Sequence, residues 1–199
     1  MRSVLLTSLI FCSLLSFSQE KVTKLIADPT RANIEWTGKK LTGEHYGEIK
    51  LSSGELTLID GKLAEGKFDM DMTSISCTDI SDAKSNKRLV DHLKSEDFFS
   101  VNRYPRSQFV ITSVKSKSST EYDVTGDLTI KGNTHPVSFP VKLSKTDNEW
   151  HGEGTITFDR SKYDVKFGSQ SFYENLGDKL VYDDVDITIT LILKREEPK

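Results

Sequence analysis

The run Glu121-Tyr122-Asp123-Val124-Thr125-Gly126-Asp127-Leu128-Thr129-Ile130 alternates between polar and apolar side chains almost without a break. Tyr122, Val124, Leu128 and Ile130 share one face, and Glu121, Asp123, Thr125, Asp127 and Thr129 share the other. A period of two belongs to a β-strand, whose successive side chains point to opposite sides of the sheet. One apolar and one polar face mean a half-buried strand, the usual state in antiparallel sheets.

The same period extends outward from this run. Val137, Phe139, Val141 and Leu143 repeat it immediately downstream, and Val185, Ile187, Ile189, Leu191 and Leu193 repeat it near the end, opposite Asp184, Asp186, Thr188 and Thr190. Upstream it fits Ala32, Ile34 and Trp36; Ile49 and Leu51; Leu56 and Leu58; Phe68, Met70 and Met72; and Phe109 and Ile111, with Trp150, Ile156 and Phe158 lying between the two downstream runs. About eight or nine strands are predicted. Asp60-Gly61 suits a two-residue hairpin turn needing positive φ, and Lys131-Gly132-Asn133 a three-residue turn with glycine in the left-handed position. Neighbouring strands are therefore antiparallel, and an up-and-down meander of this size removes its edges by closing into a barrel with the apolar face inward. A two-sheet sandwich is the rival arrangement.

One segment departs from the pattern. Between Ser81 and Asn102, Leu89, Val90 and Leu93 recur at helical spacing among charged residues, with Ser81 or Asp82 as N-cap. Glu96-Asp97-Phe98-Phe99 forms a further turn that ends before Tyr104-Pro105, since a residue preceding proline is pushed away from helical angles. The prediction is a short helical insertion that covers one barrel end, with Phe98 and Phe99 either plugging it or touching a ligand.

The first 18 residues carry one early cation, Arg2, then an apolar run from Val4 to Phe17 that ends at Ser16-Phe17-Ser18. This is the layout of a cleaved secretory signal peptide and is too short for a membrane span. Residues 1–18 are thus expected to be removed, leaving 19–199 as a single domain in the periplasm or outside the cell. Bulky Phe11 before Cys12 argues against lipid attachment there. The mature chain would keep only Cys77, so no internal disulfide can form and packing must supply the stability. The net charge of −3, with 27 basic and 30 acidic residues interspersed, offers no basic surface for a nucleic-acid backbone.

No catalytic or metal-binding arrangement emerges. His45, His92, His135 and His151 are far apart, and none has a second ligand at metal-site spacing. Gly168-Ser169-Gln170-Ser171 lacks the glycine that a nucleophile elbow needs. The reading is of a binding protein without a cofactor. A small outer-membrane barrel shares the alternation but turns its apolar face to lipid and carries aromatic girdles, and an enzyme of lipid metabolism is the third reading.

His92-Leu93-Lys94-Ser95-Glu96-Asp97-Phe98-Phe99 followed by Tyr104-Pro105 resembles the signature of YceI-like proteins. Gly126 to Gly132 resembles that family's GDLTIKG hairpin, Phe158-Asp159-Arg160-Ser161-Lys162-Tyr163 its late DR-x-x-[FY] stretch, and Gly43 to Gly47 with Ile49 its early glycine-bearing strand. These motifs occur in order across the whole mature chain. The resemblance implies a lipocalin-like extended barrel, exported, that holds an isoprenoid lipid such as a quinone or a polyprenyl phosphate. Transient membrane contact and a homodimer are among its implications. Where many relatives carry a His-Ser pair near the first strand, this chain has Thr30-Arg31-Ala32.

The inward residues expected to line the barrel are Trp36, Phe68, Met70, Phe109, Tyr122, Val124, Phe139, Val141, Ile156 and Phe158, joined by Phe98 and Phe99 from the insertion. Gly47, Gly126, Gly152 and Gly154 are expected to leave room within it. Arg160, Lys162 and Lys166, in the loop before the last strand, are candidates to meet a polar head group.

Overall fold

A computed structural model describes residues 20–197; the expected signal peptide and Cys12 lie outside the described residues. The described residues form ten strand segments: β1 (Val22–Ala27), β2 (Asn33–Lys40), β3 (Gly43–Glu48), β4 (Lys50–Ile59), β5 (Lys62–Asp71), β6 (Arg106–Ser116), β7 (Glu121–Ile130), β8 (Asn133–Thr146), β9 (Glu149–Asp159) and β10 (Val181–Arg195). Among the described residues one α-helix, α1 (Ala83–Lys94), stands between β5 and β6.

All pairings are antiparallel, and β1 pairs with both β4 and β10, which closes the ring and excludes the sandwich. Ten segments make an eight-stranded barrel because two of its strands are interrupted. β10 pairs first with β2 and then with β1, so those two act as one strand broken at 28–32. There the amides of Arg31 and Ala32 both donate to the Asp28 carbonyl, and Asp28 Oδ1 accepts from Thr30. β3 and β4 are likewise one strand interrupted at Ile49, pairing with β2 and β1 respectively. Thr30-Arg31-Ala32 therefore lies in the strand break, where Arg31 grips Glu149 through both terminal guanidinium nitrogens.

β7 has the burial its sequence dictates, with Tyr122, Val124, Gly126, Leu128 and Ile130 all buried and every second residue less so. The turn at Lys131-Gly132 is tighter than the sequence suggests. Ile130 faces Asn133 directly, and Lys131 and Gly132 both take positive φ (50° and 75°), which makes a two-residue turn like that at Asp60-Gly61. Helix α1 starts at Asp82, whose carboxylate accepts the Ser85 amide, and not at Ser81.

The connections sort to the two ends. The turns at 60–61, 117–120 and 147–148 share one end with the start of β1 and the end of β10, whereas the turn at 41–42, the whole 72–105 insertion, the 131–132 turn and the 160–180 connection share the other. The first end is filled by leucine. Leu25, Leu58, Leu143 and Leu193 are at most 1% exposed. Leu143, Leu191 and Leu193 meet over Gly152, where an added Cβ would lie in ordinary contact with all three.

Candidate functional site

The barrel encloses a cavity of about 340 Å³, within the range of small-molecule sites. Its wall is almost wholly apolar. Midway along the barrel, inward residues such as Phe68, Met70, Ile111, Val141, Ile187 and Ile189 are only half buried, although their strands turn them away from bulk solvent. Their accessible area is the cavity itself. The leucine-filled end shows no such residual area, so the cavity has one closed end and opens toward the insertion. There the wall includes exposed Lys39, Phe167 and Tyr182, with Leu89, His92 and Leu93 contributed by α1.

Eleven of the twelve residues expected to line the barrel lie on this wall: Trp36, Phe68, Met70, Phe98, Phe99, Phe109, Val124, Phe139, Val141, Ile156 and Phe158. Tyr122 does not. It is buried, lies opposite Val141 of the wall, and its hydroxyl donates to the Ser119 carbonyl in the turn at the leucine end. The glycines divide as well. A Cβ on Gly126 would sit 2.4 Å from the Phe109 ring, and one on Gly47 would sit 2.0 Å from the Ser76 carbonyl oxygen, so neighbours occupy both spaces. Gly154 does border the cavity, beside Phe139. At Gly47 the close approach lets the 76–78 segment cover the β3 edge. Ser76 and Thr78 amides donate to Glu48 and Tyr46 carbonyls, and Trp36 Nε1 donates to Ser76 O at 2.9 Å.

The three candidate head-group cations do not converge. Arg160 is 2% exposed and borders the cavity, far from being a solvated loop charge. Its Nε donates to the Tyr182 carbonyl, one terminal nitrogen to Val165 and the other to Val181, at 3.0–3.1 Å. Asp183 stands 3.3 Å away as counter-ion, too poorly angled for a hydrogen bond from Arg160 but fixed by the Ser169 and Ser171 hydroxyls. Burial lowers the Arg160 pKa and the Asp183 and Asp159 charges oppose that, so the guanidinium remains charged. Its face lies 5.9 Å from the Phe98 ring centroid, and Phe98 packs in turn on His92 and Phe167. Arg160 thus ties β10 and the 160–180 connection to the insertion that covers the open end. Lys162 is exposed and borders a separate polar depression with Glu96, Arg103 and Lys131. Lys166 pairs with Asp164 at 2.7 Å and overlies Phe172.

The other half of the same motif closes a seam. β8 pairs with β9 only from Val141 onward, while Pro136 and Pro140, which have no amide hydrogen to offer, lie in or at the end of its unpaired half. Tyr163 fills the opening, edge-on to His135 of β8 and Phe158 of β9. It is 1% exposed and its hydroxyl has no partner among the described residues. Burial, with a smaller push from Asp159, raises its pKa from 10.0 to about 12. A raised phenol pKa means the unfolded chain loses its proton first as pH climbs. The contribution to stability is therefore complete below about pH 10 and disappears as pH rises through about 12, a loss of roughly 3 kcal/mol. In alkaline urea titrations Tyr163→Phe should abolish this step while leaving neutral-pH stability unchanged or slightly raised, because no hydrogen bond is lost.

Several wall residues were not among those read from the sequence. Ile187 and Ile189 lie on the alternating inward face of β10 and were open to that reading; His45, His92 and Phe167 were not, since their approach to the cavity depends on loops folding over the barrel end. Among the described residues no group of three or more His, Cys, Asp or Glu side chains could hold a metal ion, and no helix is long and apolar enough to cross a membrane.

Comparison with known proteins agrees with this architecture. The family model for the YceI-like domain matches residues 26–193. Protein YceI of Shigella flexneri is 37% identical over 109 residues, 54% of each chain, and the UPF0312 protein of Photorhabdus laumondii is 33% identical over 144 residues, covering 72% of this chain and 71% of that one. The match to the YceI relatives spans about half of their length. Among solved structures, Burkholderia cenocepacia BcnA superposes with a TM-score of 0.69 at 24% identity, over 83% of this chain and 98% of that one. A polyisoprenoid binding domain from Saccharophagus degradans superposes with a TM-score of 0.62 at 11% identity, over 86% and 98%. With its eight-stranded ring closed by β1, its helical insertion over one end and the matched model running nearly from first strand to last, the chain belongs to the YceI-like domain family.

Proposed function

We propose that this protein is an exported, soluble binding protein that houses the apolar chain of an isoprenoid lipid, a quinone or a polyprenyl phosphate, in its barrel, tail toward the leucine end and head toward the insertion. The observation that carries this reading is the cavity itself, enclosed by apolar side chains, closed at one end and open at the other. The polyisoprenoid binding domain from Saccharophagus degradans, alike in fold, supports it. A binding role without chemistry fits a wall that offers so few polar groups. The outward faces of the strands, with Asp123 and Asp127 on β7 and Asp184 and Thr188 on β10, disfavour a barrel embedded in a membrane, whose outer surface must be apolar. Export rests on the expected leader at 1–18.

Burying hydrocarbon gains about 0.8 kcal/mol per methylene relative to water, but little relative to a bilayer. Exchange between membrane and barrel is therefore nearly balanced along the tail, and contacts at the open end select the lipid. Exposed Leu41, Phe167 and Tyr182 at that end supply apolar surface for a transient membrane contact. A homodimer is compatible with this reading and is not required by it.

Native mass spectrometry of protein purified without detergent, followed by organic extraction, tests the proposal. A stoichiometric isoprenoid, recovered chemically intact, is expected. A protein that is empty and takes up neither added quinone nor polyprenyl phosphate would refute it, and recovery of a converted lipid would favour an enzyme.

A further inference from the structure

His45 is held at the open end of the cavity by a carboxylate that dictates its tautomer. It lies on β3 opposite Gly38 and forms part of the cavity wall with Lys39 and Lys40. Its Nδ1 is 2.8 Å from Asp79 Oδ2, while Asp79 Oδ1 accepts the Tyr46 amide at 3.0 Å and the Cys77 thiol at 3.2 Å. Burial pushes the Asp79 carboxyl up, but the hydrogen bonds from His45, Tyr46 and Cys77 outweigh it and hold the group below its ordinary value. Asp79 is thus an ionised acceptor with no proton to give. The neutral imidazole must carry its hydrogen on Nδ1, which leaves Nε2 as a bare lone pair. Nε2 makes no hydrogen bond among the described residues, and the His45 side chain keeps 31% of its surface exposed.

Resting on the lipid-binding reading above, we propose that His45 Nε2 accepts a hydrogen bond from the head of the bound lipid, so that the cavity selects a hydroxyl-bearing head over one with carbonyl oxygens alone. Between the two redox forms of one prenylated quinone, it retains the quinol. A quinol hydroxyl donates to Nε2; a quinone carbonyl sets two lone pairs against each other. Three other polar groups at the open end do not reverse this preference. Lys39 is engaged by Asp186 at 2.9 Å. Lys40 can donate to a hydroxyl oxygen as readily as to a carbonyl. His92 meets Asp97 through Nε2, and in its neutral form it too has only an acceptor nitrogen left.

The test uses the full mature protein at pH 8 under anaerobic conditions. It is equilibrated with phosphatidylcholine vesicles carrying a diprenyl naphthoquinone and its borohydride-reduced quinol, and the ratio of the two forms extracted with the protein is compared among variants. Membrane partitioning cancels in that comparison. The quinol-to-quinone ratio should be about tenfold higher in the wild type than in His45→Leu, as for one well-formed hydrogen bond. Asp79→Asn should push the ratio below that of His45→Leu. The asparagine keeps an oxygen for the Tyr46 amide and turns its NH2 to Nδ1, which moves the imidazole hydrogen to Nε2 and makes it a donor. A purely structural role for the pair could lower lipid content but could not invert the preference. Equal ratios in all three proteins with lipid present would overturn this inference alone. Absence of lipid from all three would overturn it together with the lipid-binding reading.

Discussion

Arg160→Ala lowers the stability of the delipidated fold by roughly 3–5 kcal/mol, the range for removing one member of a buried ion pair. For a domain of this size that corresponds to a fall in melting temperature on the order of 6–20 °C. The loss is large because alanine removes every partner at once. The carbonyls of Val165, Val181 and Tyr182 each lose a charged donor, and Asp183, 13% exposed at its side chain, loses its counter-ion. Arg160→Lys should recover only a minor part, because an ammonium cannot reach three carbonyls spread around a planar fork. Adding Asp183→Asn to Arg160→Ala should recover more, since it removes the stranded charge. If Arg160→Ala melts within 2 °C of the wild type by calorimetry, the guanidinium is not the brace that these contacts describe. Weaker cohesion of the 160–180 connection should also speed lipid exchange, as Phe98 loses the cation above its ring.

Filling the lumen has the opposite profile, with little effect on stability and a large one on lipid content. Ile187→Trp with Ile189→Trp places two indoles on the inward face of β10, where both isoleucines border the cavity and Ile189 lies opposite Gly154. Overpacking a filled core costs about 1–3 kcal/mol. Here the added volume enters space already empty, so the cost falls at or below the lower limit. Isoprenoid recovered per protein should drop from near stoichiometric to below about one-tenth, since the floor of the cavity is cut off from its mouth and each buried methylene contributes about 0.8 kcal/mol relative to water. Thr188→Trp, exposed on the outer face of the same strand, should retain its lipid. Undiminished lipid in the double variant would mean that the chain does not lie in the barrel.

The alternation of β7 and β10, and the positive-φ residues at Asp60-Gly61, were enough to specify antiparallel strands with a single buried face. A period of two leaves no freedom over which side chains turn inward, and nine of the eleven wall residues read from the sequence follow from it, Phe98 and Phe99 coming instead from the insertion. The helix was legible for a similar local reason, its apolar spacing and a capping residue at Ser81 or Asp82, of which the structure uses Asp82. Tyr122 escaped the same logic, because alternation tells inward from outward but not how far along the barrel a residue lies. That depth depends on the stagger between strands, and Tyr122, opposite Val141, is held toward the 117–120 turn by its hydroxyl and leaves the wall to its neighbours.

The strand breaks at 28–32 and Ile49 were equally hidden, since they show only in which partner each half finds across the ring. Arg160 illustrates the limit most directly. In sequence it is one of three cations in a polar loop; in the folded chain carbonyls from β10 and its own connection converge on it, while Lys162 and Lys166 stay outside. His45 and Asp79 are 34 positions apart, and only the folding of the 76–80 segment along the edge of β3 joins them. By itself, then, the sequence determined the fold class and the apolar character of the interior, properties set by local periodicity. Which end is closed, how much of the interior stays empty and which polar groups meet at the opening were decided by tertiary structure, because those depend on contacts between residues that nothing in their local sequence links.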